Sequence, residues 1–512
     1  MGISIVEFYH NGIKKSWKTA FYTAFVACLL IHIYKFTNTL PNHDAVYNEY
    51  TNQDITESGR WFLQLACGIS SYFDLPWING LLCAVYLGLT AAMVTELYDM
   101  KNPIVIGLSA IILAACPSTT ETLFFGFTAD GYLLGLMLSA TAALLSCKAS
   151  RWYKNILAGI CLCLSCAIYQ AYVSFSAVLC ICYLIKTLLE YQISIKNAWR
   201  WALRHVVLYA FSLGSYYVIW KVILKVTGRF ATGYQGINEV GKINGAMIVG
   251  GAVASVRNLL LLFLEWNILE HPASLYAVLN ILFVAALIYV LAAAVVKSKL
   301  YTRPGAMWLV VLALAASIPV TSIWAFASEG VFYRPMMLHS AVVFYIFSLI
   351  LFDRWVTPKV STLYAFMMVV MLINFAVMAN ISYFYLDKCY ERSYYIGSRM
   401  MEKIEEIQQE DDSVSGIAFV GDRAHDVVVD NVLPGSRIHM LATCLEEDLL
   451  YDHTHTYLYL KNVFGLDIPK LPESQIKELE KSYTVQEMGI WPAIDSAQVV
   501  GSTLVIKLEG VS

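Results

Sequence analysis

Residues 40–62 read LPNHDAVYNEYTNQDITESGRWF and gather His43, Asp44, Glu49, Asp54, Glu57 and Arg60. A carboxylate held beside a substrate hydroxyl can act as a general base on it. Asp44 follows the preceding apolar run most closely and is the first candidate for that base, with Glu49 the next. Arg60 suits a phosphate, because its planar fork grips two oxygens and stays charged. Gly59 before it lets the backbone turn tightly. A plainer reading is open as well. The acidic cluster is then a solvated loop, and SGRW starts a helix with Ser58 as cap and Trp61 at a membrane interface.

Other polar groups interrupt apolar surroundings. Asp130 stands in GFTADGYLLG. Ionisable groups at such depth face a cavity or a partner, so Asp130 is either a substrate-binding group or half of a structural pair. Tyr169 and Gln170, in AIYQAYVSF, fit substrate contact or interfacial packing. Arg334 in EGVFYRPMM, with Arg257 and Arg229, would meet a lipid phosphate or snorkel toward headgroups. Asp452, His453 and His455 form DHTH, spaced for a metal on a strand or simply a solvated turn.

Several classes are excluded. No GxxxxGK[ST] and no HExxH occur, which removes ATPases and zincin proteases. The GDRAHD at 421–426 lacks the glycine context of a dinucleotide site. Cys161, Cys163 and Cys166 have no matching second pair, so no zinc site is expected and no metal ligand is assigned. A net charge of -3 offers nothing to nucleic acid.

The elements that must position these residues are membrane helices. The chain is 58% hydrophobic and 14% charged, against about 25% charged for soluble domains. Runs of roughly 20 apolar residues fall at about 19–36, 76–97, 103–117, 122–146, 155–171, 173–189, 204–226, 272–296, 306–327, 335–352 and 360–383, eleven in all. Lys14, Lys15 and Lys18 precede the first, with no small-x-small cleavage site after it, so it reads as an uncleaved membrane helix. Lys and Arg crowd alternate loops, which sets the N-terminus inside. Short outer connections are then expected around 117–121, 172 and 328–334, and long outer loops at 37–75 and 227–271. Residues 244–266 approach spanning length, but Arg257 near their middle argues for a re-entrant or interfacial helix on the outer side. Beyond about 386 the composition changes. A charged helix over 388–410, the strand patterns SGIAFVG and STLVIKL and a helical IKELEKS predict a small α/β domain outside the membrane.

With these motifs in order, the chain resembles the Gtr-type glucosyltransferases, the serotype-converting family that glucosylates O-antigen, and more widely the GT-C glycosyltransferases. The resemblance rests on one helix followed by an acidic loop ending in SGRW, on Asp130 in TADGY, on Tyr169 and Gln170 in IYQAY, and on Arg334. It covers about residues 10–385 and leaves 386–512 as a separate domain. It implies a bacterial inner-membrane enzyme and a polyprenyl-phosphate donor, glucose on undecaprenyl phosphate. The transfer would be inverting, to an envelope glycan. By position it makes Asp44 the base, and Arg60 and Arg334 the groups on the departing phosphate. Many GT-C enzymes carry adjacent acidic residues in this loop. Here His43 and Ala45 flank Asp44, so a second carboxylate comes from Glu49, Asp54 or Glu57. That departure leaves a divalent metal open, and no other cofactor is implied. A transporter or flippase of lipid-linked sugars is the alternative, which would share the helices but need no base.

Overall fold

The computed structural model describes residues 12–48, 54–149, 151–233, 236–237, 245–264, 274–327, 331, 333–421, 449–450 and 452–508. Two units result, Met1–Asn38 with Asn52–Asn380, and Thr39–Thr51 with Ile381–Ser512.

In chain order the first helices are α1 (Lys15–Thr37), α2 (His43–Asn48), α3 (Leu63–Cys67), α4 (Pro76–Leu97), α5 (Pro103–Ala115), α6 (Pro117–Phe124) and α7 (Gly126–Cys147). Then come α8 (Trp152–Ile168), α9 (Tyr172–Leu189), α10 (Ile195–Thr227), α11 (Gly245–Leu264), α12 (Leu275–Lys297), α13 (Pro304–Thr321), α14 (His339–Trp355) and α15 (Pro358–Glu410). Proline opens α4, α5, α6 and α13, where its fixed φ suits the first turn and its missing N–H costs nothing. The Asn102, Ser194 and Ser274 side chains cap α5, α10 and α12.

Eleven of the described helices are long and apolar enough to cross a membrane, with α5 and α6 together counted as one. The chain is a polytopic helical membrane protein. The number matches the sequence reading, but the set differs. The 17 residues of α8 are too few for that count, and α11, with 20, takes its place. The contacts of α11 cluster at one end of its neighbours. Gly251 abuts Phe326 and Ala325, Asn258 donates to Ser322, Tyr276 donates to the Leu262 carbonyl, and Phe263 packs on Phe283 and Tyr345. These partners lie in the first half of α12, just past the end of α13 and in the first half of α14.

One expected connection is corrected. Residues 117–121 form no loop, because Pro117 starts the buried helix α6 and the turn into α7 waits until Phe125.

At one end of the first unit, Lys and Arg are tied to acidic residues. Lys14 meets Glu96 at 2.6 Å, Lys148 meets Asp99 at 2.6 Å, and Glu190 takes Lys186 at 3.3 Å and Arg354. This is the basic end. The opposite end carries residues 54–75 and 228–233 and is called the loop end.

In the second unit, strands β1 (Gly416–Val420), β2 (Ala497–Val500) and β3 (Thr503–Lys507) form one sheet in the order β1-β3-β2. β1 runs parallel to β3 with Ile417 opposite Leu504, and β2 runs antiparallel with Val499 opposite Leu504. One face packs Ile417, Phe419, Leu504 and Ile506 on Met400, Ile404 and Leu460. The other face buries Ala418, Val420 and Val505 against Ile476 and Val485. Asp452 caps the helix α16 (His453–Phe464), accepting from Thr454 N and His455 N, and its carboxylate stands 2.8 Å from His455 Nδ1. DHTH is thus a helix start and not a strand. Burial works to raise the Asp452 carboxyl, but the His455 contacts prevail and hold it below its ordinary value. Residues 422–430, which hold most of GDRAHD, lie outside the described residues.

Candidate active site

The turn between α8 and α9 is sunk into the bundle. A Cβ at Gly135 would lie 3.0 Å from Ile168 and 3.1 Å from the Tyr172 ring, a tight contact that glycine avoids. Ser165 Oγ donates to the Gly135 carbonyl at 2.7 Å, and Ser139 Oγ donates to the Tyr172 carbonyl at 2.6 Å. Gly135 is nine residues into α7, about 14 Å along it at 1.5 Å per residue. Tyr169, Gln170 and Ala171 therefore form the floor of a recess below the loop end.

Residues 54–62 descend onto this floor and are pinned through their backbone. Trp220 Nε1 donates to Thr56 O at 2.7 Å, Gln170 Nε2 to Ser58 O at 2.7 Å and Tyr216 OH to Gly59 O at 3.1 Å. Phe62 N donates to Ala167 O at 3.0 Å. Gly59 has φ 81°, and a Cβ there would sit 2.3 Å from Tyr216 OH and 2.8 Å from Gln170 Nε2. Both the turn and the space demand glycine. The helix-start reading of SGRW is corrected. Ser58 donates its hydroxyl to Ile55 O at 2.9 Å inside a 3-10 turn, and α3 begins at Leu63 without a side-chain cap. Trp61 packs on the cluster of Leu162, Cys166 and Tyr216.

This pinning delivers Arg60 to the recess. Its Nη1 donates to Tyr132 OH at 3.1 Å, and its guanidinium lies 5.2 Å from the Tyr169 ring centre. Tyr132, Tyr169, Tyr172 and His339 follow in an aromatic chain with ring centres 4.8, 5.2 and 5.4 Å apart. Trp324 Nε1 donates to the Gln170 carbonyl at 2.8 Å. Arg334 precedes a 3-10 turn and lies 6.0 Å from the Phe125 ring. The structure brings together Arg60, Tyr169 and Gln170 of the sequence-derived set, and Arg334 follows Tyr333, whose hydroxyl accepts from Trp324 N.

Sequence reading missed Glu121. It is fully buried on α6 and accepts the Met336 backbone N–H at 2.5 Å, which fixes the segment carrying Arg334. Its signal was a lone carboxylate in CPSTTETLFFGF with no cation nearby in sequence. Tyr132, Tyr216 and Trp324 were also missed, because one aromatic in an apolar helix looks like any other.

The remaining candidates lie elsewhere. Asp130 is fully buried, and its neighbours are Ser70, Asp74, Cys67 and Cys83. Asp74 in turn stands 3.9 Å from Lys35 Nζ. Arg257 is exposed on α11. Arg229 holds Asp54 at 2.5 Å and Glu57 at 3.5 Å, and Thr232 N donates to Glu57 O. Asp44 belongs to the second unit, on α2, half exposed and 3.4 Å from His43 Nε2. Val46 of that helix packs with Leu449, Leu450 and Tyr459, and Tyr47 lies edge-on to His455 at 4.3 Å. Glu49 lies outside the described residues.

Arg60 over the Tyr169 face, with Arg334 beside the Phe125 ring, suits an anionic ligand that also carries a ring, such as a sugar phosphate. The profile of the GtrII glucosyl transferase family matches residues 33–352, more than half of the chain, and the chain belongs to that family. It is a glycosyltransferase with the activity of a glucosyl transferase. No curated protein and no solved structure matches the chain.

Proposed function

We propose that the protein moves glucose from a polyprenyl-phosphate donor to a cell-envelope glycan, with inversion, at the loop end of the first unit. The observation that carries this reading is the Arg60 guanidinium over the Tyr169 ring at 5.2 Å and bonded to the Tyr132 hydroxyl, on a loop pinned by Gln170 and Tyr216. A lipid-linked sugar keeps its tail in the bilayer and presents phosphate and pyranose at the membrane surface. Arg60 neutralises charge growing on the phosphate as the glycosidic bond breaks, and Arg334 supports it. Tyr169, Gln170 and the neighbouring rings receive the sugar. Pre-aimed charge of this kind is worth about 3–4 kcal/mol of barrier in a dry site.

The base is assigned on the family resemblance. Asp44 takes the proton of the acceptor hydroxyl, a contribution of about 10²–10⁴ in rate. Its partly exposed carboxylate beside His43 is open to a bulky acceptor. The same reading takes residues 1–385 as the transferase and 386–512 as an extracytoplasmic domain. It places the protein in the bacterial cytoplasmic membrane with its N-terminus inside. Arg257 is proposed as a secondary contact to substrate and Glu49 as the reserve carboxylate, whereas Asp130, fully buried beside Asp74, is read as half of a structural pair.

The test is transfer of labelled glucose from undecaprenyl-phosphate glucose to envelope glycan, in membranes holding wild type, Arg60→Ala or Asp44→Asn. The expected outcome is transfer by wild type alone. Full activity of Asp44→Asn moves the base to another carboxylate. Full activity of Arg60→Ala removes the recess from the mechanism. Translocation of the lipid-linked sugar by wild type without transfer favours the flippase.

A further inference from the structure

At the basic end, far from the recess, three side chains from three helices converge. Cys147 is the last residue of α7, Cys180 lies midway along α9, and His205 lies in the first third of α10. Cys147 Sγ is 3.5 Å from Cys180 Sγ and 4.0 Å from His205 Nε2, and the three ligand atoms lie within 4.8 Å of one another. All three residues are buried.

We propose that Cys147, Cys180 and His205 bind one zinc ion that fastens α10 to α7 and α9. A tetrahedral zinc with Zn–S near 2.3 Å and Zn–N near 2.0–2.1 Å holds its ligand atoms about 3.5–3.8 Å apart. The observed spacings lie within a few tenths of an ångström of that for two of the three pairs, so small side-chain rotations close the site. The histidine is already oriented for it. Its Nδ1 lies 2.9 Å from the Trp201 carbonyl, which can only accept, so Nδ1 carries the proton and Nε2 turns its lone pair to the sulfurs. Trp201 stacks on the imidazole at 3.7 Å and fixes the ring plane. Tyr209 donates its hydroxyl proton to Ser176 Oγ, and its oxygen lies 3.7 Å from Cys180 Sγ, beside the three ligands.

The charge balance favours a divalent thiophilic ion. Binding releases two thiol protons, and two thiolates, a neutral imidazole and Zn²⁺ sum to zero. A neutral centre avoids the cost of a net buried charge. The sequence reading expected no zinc because it looked for paired cysteines along the chain, whereas these ligands meet only in space.

The ion would have a mechanical task. Only six of the 33 residues of α10 are buried, so this helix is thinly held. His205 sits eleven residues before Tyr216, about 16 Å along the helix. Tyr216 and Trp220 are the groups that grip Gly59 and Thr56. A clamp at one end therefore steadies the helix that organises the recess at the other.

The experiment measures metal in the full-length protein purified in detergent from zinc-supplemented cells. Wild type and Cys163→Ser, a buried cysteine outside the cluster, should each carry about one zinc per chain. Cys147→Ser, Cys180→Ser and His205→Ala should carry almost none, and His205→Cys, which restores a ligand, should regain it. Chelator-treated wild type titrated with Co²⁺ should develop a thiolate-to-cobalt charge-transfer band that saturates at one equivalent. This second measurement needs no variant to fold. Wild type with neither zinc nor a cobalt band would overturn the proposal. So would zinc retained by the ligand variants, or a Cys147–Cys180 disulfide found by mass spectrometry in freshly purified protein.

Discussion

Two buried polar clusters sit near the loop end of the first unit, and they are built in opposite ways. In the recess, Arg60 stands beside the Tyr132 and Tyr169 rings on a loop pinned through its carbonyls, and Arg334 lies beside the Phe125 ring on a separate segment. In the other, Asp74 and Asp130 are nearly fully buried with Lys35, on α7, the end of α1 and the approach to α4. The first leaves Arg60 and Arg334 partly exposed. The second closes on itself, and Gly126 lies so close that a Cβ there would strike Asp74. A charge that faces a cavity can act on a ligand, whereas a sealed set of opposite charges mainly fixes helices.

The largest expected effect separates the two clusters by activity. Arg60→Ala should lower kcat by about 10²–10³ with the fold intact, since loss of one pre-aimed donor has that cost. Arg60→Lys should recover only part of it, because a point charge cannot replace the two-pronged fork. Equal turnover by Arg60→Ala and wild type, measured as glucose transfer per folded molecule, would erase the distinction.

The next effect falls on stability. Lys35→Met leaves Asp74 and Asp130 buried beside each other with that cation gone, and should cost about 3 kcal/mol or more. Asp130→Asn relieves carboxylate repulsion and should cost much less. Thermal unfolding in detergent reads both. If Lys35→Met unfolds like wild type while Asp130→Asn abolishes transfer, then Asp130 belongs to the chemistry and the contrast is wrong.

A smaller effect tests the pinning. Gly59→Ala forces Tyr216 and Gln170 to move, and displaces Arg60 with them. A shift near 1 Å at a reacting group costs about 10²-fold in rate, and a partly relaxed loop less. Transfer per folded molecule should fall, and the melting temperature should drop as well because alanine is strained at φ 81°. An unchanged rate would mean that the loop does not set the position of Arg60.

These contrasts show what the sequence could and could not convey. Hydrophobic runs and proline starts made the helices legible, since membrane helices satisfy their own backbone groups and need apolar length. Arg60 and Gly59 were legible because SGRW breaks an apolar pattern. Arg60 and Asp130 looked alike as isolated charges, and only tertiary packing separates them. Glu121 was hidden because Pro117 was taken for a turn, although proline equally well begins a helix. Cys147, Cys180 and His205 come from three helices, so no spacing along the chain announces them.

The smallest expected effect concerns the exposed rim of the recess, where Asp54 and Arg229 tie the two loops at 2.5 Å. Partial burial works to raise the Asp54 carboxyl, but the Thr56 hydroxyl and Arg229 prevail and hold it below its ordinary value. A depressed carboxyl stabilises the fold above its unfolded value of about 3.9 and loses that contribution as the pH falls through the lower, folded value. The tie should therefore persist unchanged from pH 8 to about 5 and loosen only in stronger acid, below about pH 4. Salt should weaken it at neutral pH, because the pair is exposed. Hydrogen exchange across residues 54–58 would read it. Wild type should be protected at pH 7 and lose protection in acid once the intrinsic rate is corrected, whereas Asp54→Asn should be equally open at both. Identical protection in the two proteins would show that the backbone bonds from Trp220, Gln170 and Tyr216 hold the loop unaided. In that case the recess, like the sealed cluster, would owe its shape to buried contacts alone.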